Sequence, residues 1–301
     1  MTNLLVHRKD YRSIVFVLIT LALLMLPFAV PVNPPWIFPW LLASGLFCFS
    51  CCIINHNHVH NPVFLGTRAN ACFAVLLTFA KGHSSAGVIL AHNYNHHRHN
   101  SDSNDWIRPQ LAGASRGLMR LLRFLIAATL SMARGRREAG MSCLSPEIRR
   151  QLLRERILLW LLVFALLLLD VETFILFVAI PWAMGITLLI GVNLLQHDGC
   201  QPASQYDHSR NFVGSLGNWF FFNNGYHTAH HMLPALHWSQ LPDWHNAHVT
   251  PAIDKNLEQP SILRFLFRHY LFSQALPMEK NNENYSINPV IDTAKPGSGP
   301  G

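Results

Sequence analysis

ILLWLLVFALLLLDVETFILFVAIPWAMGITLLIGVNLL, residues 157–195, contains no Lys or Arg and only two acids, Asp170 and Glu172. A bilayer crossing needs about 20 apolar residues. As one helix, this run would reach roughly 60 Å at ~1.5 Å per residue, about twice a membrane core. It therefore reads as two spans in a hairpin, broken at Asp170 and Glu172. The first limb (157–169) is short and is expected to extend into the interface, where Arg154 and Arg156 snorkel. Further out, IVFVLITLALLMLPFAV (14–30) and IFPWLLASGLFCFSCCIIN (37–55) make two more spans, joined by the turn PVNPPW.

The composition agrees. Half of the 301 residues are hydrophobic and 13% are charged, against about 25% in soluble domains. The net charge of +7 would suit a nucleic-acid binder, but the distribution of charge argues against one. No Lys or Arg falls between Arg12 and Arg68 or between Arg156 and Arg210, and basic residues crowd into 8–12, 116–156 and 264–268. That is the pattern of spanning helices with cytoplasmic loops. Four spans place the N-terminus, the middle of the chain and the C-terminus together on the basic, cytoplasmic side (the inner membrane face, in a bacterium). MTNLLVHRKDYR is too polar for a cleaved signal peptide, so the first span is expected to be retained.

The shorter stretch ACFAVLLTFA (71–80) is expected to be partly buried without crossing, and 117–132 to lie amphipathically at the interface. Cys48, Cys51, Cys52 and Cys72 sit in apolar runs without paired CxxC spacing, so they read as small hydrophobes rather than zinc ligands. The expected fold is an all-α integral membrane protein of four transmembrane helices with a cytosolic helical cap. One domain covers 1–277. The polar, Pro/Gly-rich remainder, 278–301, reads as a flexible tail whose KPGSGPG end is partly an added sequence.

The chain has 18 histidines, and half of them fall in four clusters beyond apolar segments. HNHVH (56–60) sets His56 and His60 four apart. HNYNHH (92–97) sets His92 and His96 four apart with His97 adjacent. NLLQH (193–197) sets Asn193 and His197 four apart, and HTAHH (227–231) supplies His227, His230 and His231. Offsets of three and four share a helix face. A lone histidine on an apolar face is usually a packed residue, but four clusters on one side of a membrane domain point to a single site. Buried imidazoles without partners are costly, and a metal supplies partners. Nine ligands exceed one zinc site and match two ions. Imidazole suits iron, zinc and copper alike, and HExxH, the zinc-protease motif, is absent. A metal transporter would place its ligands near the bilayer midplane in broken helices; here they stand at helix ends.

HxxxH at 56–60, HxxxHH at 92–97 and HxxHH at 227–231 resemble the three histidine boxes of the membrane fatty-acid desaturases and hydroxylases, a superfamily that includes terminal-alkene-forming fatty-acid decarboxylases. GYHTAHHMLPALHWSQLP is similar to that family's third box and the segment after it, HHRHNSDSNDW to the acidic stretch after its second box, and NxxxH at 193–197 to its additional histidine and asparagine. The resemblance covers about residues 40 to 245. It implies two iron ions held by His56, His60, His92, His96, His97, His197, His227, His230 and His231, which are then the catalytic ligands. It also implies O2 as co-substrate, a fatty acyl substrate, and electrons from a separate ferredoxin- or cytochrome-like donor with its reductase. The second box has three residues between His92 and His96, as in membrane alkane hydroxylases, where many desaturases have two. A desaturase is the simplest outcome; a fatty-acid decarboxylase forming a terminal 1-alkene and a hydroxylase stay open, as does a non-enzymatic metal-binding or transport role.

Around the ligands, Asn193 is a candidate to reach the metal directly or through water, with helix capping as the alternative. Asp102 and Asp105 are candidates to hold ligand N–H groups, with solvated loop positions as the alternative. His58 and His99 are expected to pack or to support the ligands from outside. Trp219 and Phe222, in the aromatic run before the third box, are candidates for an acyl-chain wall or for plain packing. Arg134, Arg136, Arg137, Arg149 and Arg150 suit an acidic head group or donor, though topology alone accounts for such a run.

Overall fold

A computed structural model describes residues 4–272; the expected tail lies outside the described residues. The chain begins with α1 (Tyr11–Met25), α2 (Pro34–His60) and α3 (Thr67–Lys81). After α4 (Ala86–Ala91) comes a single π-helical turn, His92–His96, and then α5 (His97–His99). The long helices α6 (Gly117–Ala139) and α7 (Pro146–Leu169) precede α8 (Val171–Phe174) and α9 (Ile180–His197), the last two joined through a π turn. Short helices α10 (Ser215–Phe220), α11 (His227–Met232), α12 (Leu241–His248) and α13 (Ile262–Leu266) form the remainder. Among the described residues, the exceptions to the all-α expectation are one parallel pairing of two-residue strands, β1 (Asn211–Phe212) with β2 (Glu258–Gln259), and an isolated antiparallel bridge between Leu5 and Phe64.

The hairpin break falls where the acids stand. Asp170 ends α7 and caps α8, its carboxylate accepting from the Thr173 backbone N at 3.0 Å and hydroxyl at 2.9 Å. Both limbs share one core, in which Leu166 of α7 meets Phe174, Val178 and Trp182. Among the described residues, three helices are long and apolar enough to cross a membrane, Arg8–Phe28, Pro34–His60 and Val171–His197. The expected short span at 157–169 is the second half of α7, whose first half carries Glu147, Arg149, Arg150, Arg154, Glu155 and Arg156. Its apolar part alone is about 20 Å long. Even so, Trp160, Leu161, Phe164, Leu168 and Leu169 all stand outward and exposed. The segment expected not to cross, α3, is bent by 84° against Ala86–His99, so the two form a broken span or a re-entrant pair. On α6, Phe124 and Ala128 pack on Ile190 and Leu194 of α9, while Ile126 and Leu130 face out. The interface helix is thus apolar on two sides.

Helices α2 and α9 form the spine that positions the site. Gly185 lies so close to α2 that a Cβ there would sit 2.9 Å from Cys48 Cβ and 3.0 Å from backbone atoms of Cys48 and Phe49. Small residues allow such an approach in a membrane helix pair. Eight residues on from Cys48 and from Gly185 stand His56 and Asn193, and twelve residues on stand His60 and His197. One close contact therefore sets the ligand-bearing ends of both helices side by side. Gly185→Ala is expected to push the helices apart and destabilise the protein by about 1–3 kcal/mol, the usual cost of overpacking. Gly191→Ala, whose Cβ would meet only side chains at 3.8 Å and beyond, is expected to be near neutral. Thermal unfolding in detergent compares the two.

Candidate metal centre

The C-terminal turn of α2 brings His56 and His60, and that of α9 brings Asn193 and His197. The short helix α11 brings His227, His230 and His231. It is anchored through Thr228, whose N–H donates to Asn211 Oδ1 at 2.9 Å and whose hydroxyl lies 2.8 Å from that of Ser209. The π turn brings His92, His96 and His97. The structure brings the eight box histidines and His197 together, in two groups that could each hold a metal ion. His56, His60, His92, His97 and His230 form one; His96, His197, His227 and His231 form the other.

The grouping differs from the simple helical expectation at one place. His92 and His96, four apart, go to different groups, and His92 pairs instead with His97, five apart. A π turn closes on i and i+5 rather than i and i+4, and here the His97 N–H bonds to the His92 carbonyl. The extra residue of the second box is absorbed in that wider turn. The third box needs no such device: His227 and His231, four apart on α11, share a group. In both boxes the adjacent pair, His96–His97 or His230–His231, is divided between the two groups, because neighbours on a helix point about 100° apart.

Within each group the nitrogens face one another. His97 Nε2 lies 2.9 Å from His92 Nε2 and 3.1 Å from His230 Nε2. His227 Nε2 lies 2.9 Å from His197 Nε2 and 3.1 Å from His231 Nε2. Two nitrogens each about 2.1 Å from one ion, and at right angles, are about 3.0 Å apart; at a tetrahedral angle the separation is about 3.4 Å. The observed edges suit an ion with near-right-angle ligation. The ring nitrogens His56 Nδ1, His60 Nε2 and His227 Nδ1 are buried without a hydrogen-bond partner. Burial, reinforced by the neighbouring imidazoles, holds His227, His230 and His231 well below the ordinary histidine pKa, so their lone pairs are free to bind. The donor set fits two ions.

Outside the nitrogens, His96 Nδ1 donates to Asp105 Oδ2 at 2.8 Å, and Asp105 is itself fixed by the N–H groups of Ser101 and Ile107 at 2.8 and 3.0 Å. Such bonds turn the other ring nitrogen inward. Asn193 Nδ2 lies 3.3 Å from His96 Nε2, with its Oδ1 buried and unpartnered. Asp102 is placed elsewhere, accepting from His99 at 3.2 Å on an exposed loop. His58 packs edge-on against Phe73. Phe222 is fully buried between Phe16 and Trp238, under the Arg12 guanidinium, and Trp219 is half exposed beside the same Phe16. Neither ring touches a box histidine among the ring contacts described.

Two features had no counterpart in the box spacing. Asp198, next to His197, is buried and receives Arg120 Nε and Nη2 at 2.6 Å each and the Tyr270 hydroxyl at 2.7 Å, which ties α6 and the chain near 270 to the end of α9. The second is His208, whose carbonyl accepts from His197 Nδ1 at 3.2 Å. The Asp198 partners come from distant sequence and His208 from a loop eleven residues on, and nothing in local periodicity marks them.

Without metal, the depressed histidines make stability depend on pH. In the unfolded chain they bind protons below about pH 6.5, and in the fold they do not, so stability is present above that value and is lost as pH falls. Metal-stripped protein is expected to show a falling unfolding temperature from about pH 6.5 downward, measured by differential scanning fluorimetry in detergent.

Compared with known proteins, residues 9–259 match the family model described as fatty acid desaturase. No curated protein matches the chain significantly.

Proposed function

The chain belongs to the fatty acid desaturase family, and on that premise we propose that it is an O2-dependent di-iron oxidase of the membrane, most simply a desaturase, acting on an unactivated C–H bond of a fatty acyl chain. Family membership implies oxidation of a fatty acyl chain; the observation that carries the finer reading is the division of nine buried or half-buried histidines into two groups with converging nitrogens. One ion would be held by His56, His60, His92, His97 and His230, the other by His96, His197, His227 and His231. Iron bound there supplies activation of O2 and oxidation of the C–H bond.

The protein's own groups fix the donors. Asp105 holds the His96 Nδ1 proton, and the His208 carbonyl holds that of His197, so each ring offers Nε2. Asn193 is assigned a supporting place beside His96. Asp102 is assigned to its loop, and Trp219 and Phe222 to packing, as their contacts favour. Desaturation takes two hydrogens from the chain and, with O2 plus two electrons and two protons from outside, yields an alkene and two waters. The two electrons require a donor, a separate ferredoxin- or cytochrome-like protein with its reductase, and the arginines of 134–150 give it a basic face on which to dock. Decarboxylation to a 1-alkene and hydroxylation share the first oxidation. The extra residue of the second box gives hydroxylation little support, since the π turn takes it up.

The topology proposed is four spans, with the outer half of α7 as the short one, and with both termini, the histidines and a helical cap on the cytoplasmic side. A cysteine placed at Asn33 is expected to react with an impermeant maleimide from outside intact cells, while exposed Cys143 reacts only after lysis. Labelling of both from the same side would refute the arrangement. His230→Ala is expected to abolish turnover and lower bound iron while the protein remains in the membrane. Gas chromatography of lipid products then identifies the reaction: a double bond in a chain of unchanged length supports desaturation, and a terminal alkene one carbon short refutes it.

A further inference from the structure

The two histidine groups are unequal, five donors against four, and a tenth imidazole borders the smaller one. The His208 ring lies 5.6 Å, centroid to centroid, from that of His231. Its Nδ1 donates to the backbone carbonyls of Ser204 and Gln205, at 3.2 and 3.0 Å. That fixes the tautomer: Nδ1 carries the proton and Nε2 carries a lone pair. Nε2 is nevertheless buried with no hydrogen-bond partner, and a buried polar atom of this kind calls for an explanation.

The loop that carries His208 is rigidly tied. Gln201 N–H donates to the Asp207 carbonyl and Asp254 N–H to the Asp207 carboxylate, each at 2.9 Å, and Asp207 N–H donates to Ser204 Oγ at 3.0 Å. The ring is therefore held in place by the protein and not by its own unmet nitrogen. His208 stands outside the four-histidine ligand set. Nitrogens on one ion at about 2.1 Å can be at most about 4.2 Å apart, and no His208 nitrogen joins the four-histidine set, whose donors all lie within 4.8 Å of one another.

We propose that His208 is a positioning residue for the four-histidine ion, its Nε2 accepting a hydrogen bond from a water that occupies the position left open by the missing fifth imidazole. This rests on the two-ion reading above. A metal-bound water needs acceptors for its O–H groups, and a neutral imidazole lone pair fixed by its opposite N–H is a suitable one. The side chain has this role separately from the backbone, since the His208 carbonyl already orients His197.

The test is Mössbauer spectroscopy of iron-57 protein purified in detergent, with iron content measured alongside. In His208→Ala, two irons are expected to remain bound, one quadrupole doublet to shift and the other to stay at its wild-type position, and turnover to fall about 10–100-fold, as for other outer-shell partners of metal ligands. In His208→Gln, whose amide oxygen can still accept, the shifted doublet is expected to return toward its wild-type position. Both doublets unchanged in His208→Ala would overturn the proposal, leaving His208 a packing residue. Loss of one iron would also overturn it, making His208 a ligand. Should His208→Ala not fold, His208→Phe, which fills the space but cannot accept a hydrogen bond, takes its place: one shifted doublet with both irons retained supports the proposal, and an unchanged spectrum or loss of iron overturns it. A wild-type chain that binds no iron pair would defeat the two-ion reading itself, an outcome visible before any variant is made.

Discussion

Imidazole nitrogens held 2.9–3.1 Å apart in a buried cluster impose a constraint that the rest of the fold has to meet. Neutral rings put lone pairs or N–H groups against one another, and several meeting at one point cannot all be paired as donor and acceptor. Protonating them would place like charges together in a low dielectric, which burial resists. Removing them to water would unwind the helix ends that carry them. A cation at the centre of each group would resolve the conflict, and the nitrogen-to-nitrogen separations suit neighbouring ligands on one ion. Stability, metal affinity and the proposed chemistry thus share one origin.

Helix geometry explains how four remote segments satisfy that constraint. Parallel α2 and α9, locked by the approach of Gly185 to Cys48, deliver two histidines, an asparagine and a third histidine in matching register. Histidines four apart on one helix converge on one group, and adjacent histidines diverge to separate groups. The second box, with its longer spacing, meets the same geometry only because His92–His96 widens into a π turn. A π turn is an irregularity that costs hydrogen-bond quality; here it converts HxxxHH into the functional equivalent of HxxHH. Spacing along a sequence specifies a direction only once the helix type is known.

That separates what was legible in the sequence from what was not. The apolar runs, the break at Asp170 and the candidate ligands follow from composition and period, which are local. The nine histidines could be named because each box is contained within a few residues. Their division into five and four was hidden, since it depends on the π turn. Asp105 was nameable because it follows the second box closely, but its choice of His96, and the choice of His99 by Asp102, depend on the loop's path. Arg120, Asp198 and Tyr270 meet across 78 and 72 residues with no periodic signal. The extension of α7 beyond its apolar part to Arg154 and Arg156 was expected, but its start at Pro146 was not; Arg and Glu are good helix formers and do not end a helix.

The surroundings of the two groups make any pair of ions inequivalent. The five-donor group is built mainly from α2 and the second box, against the apolar core around Cys51, Ile53 and Ile54. The four-donor group borders the polar end of α9, where Asp198 is clamped by Arg120 and Tyr270 and where Asn193 and His208 each present an unpartnered acceptor. An ion held by five histidines beside apolar packing and one held by four beside free acceptors would differ in solvent access and in the charge they tolerate, and both properties tune a bound metal. The asymmetry is therefore a consequence of which helix ends supply the ligands. Those ends are set by the packing of α2 on α9, so the packing of the apolar helices also decides which group offers five donors and which four.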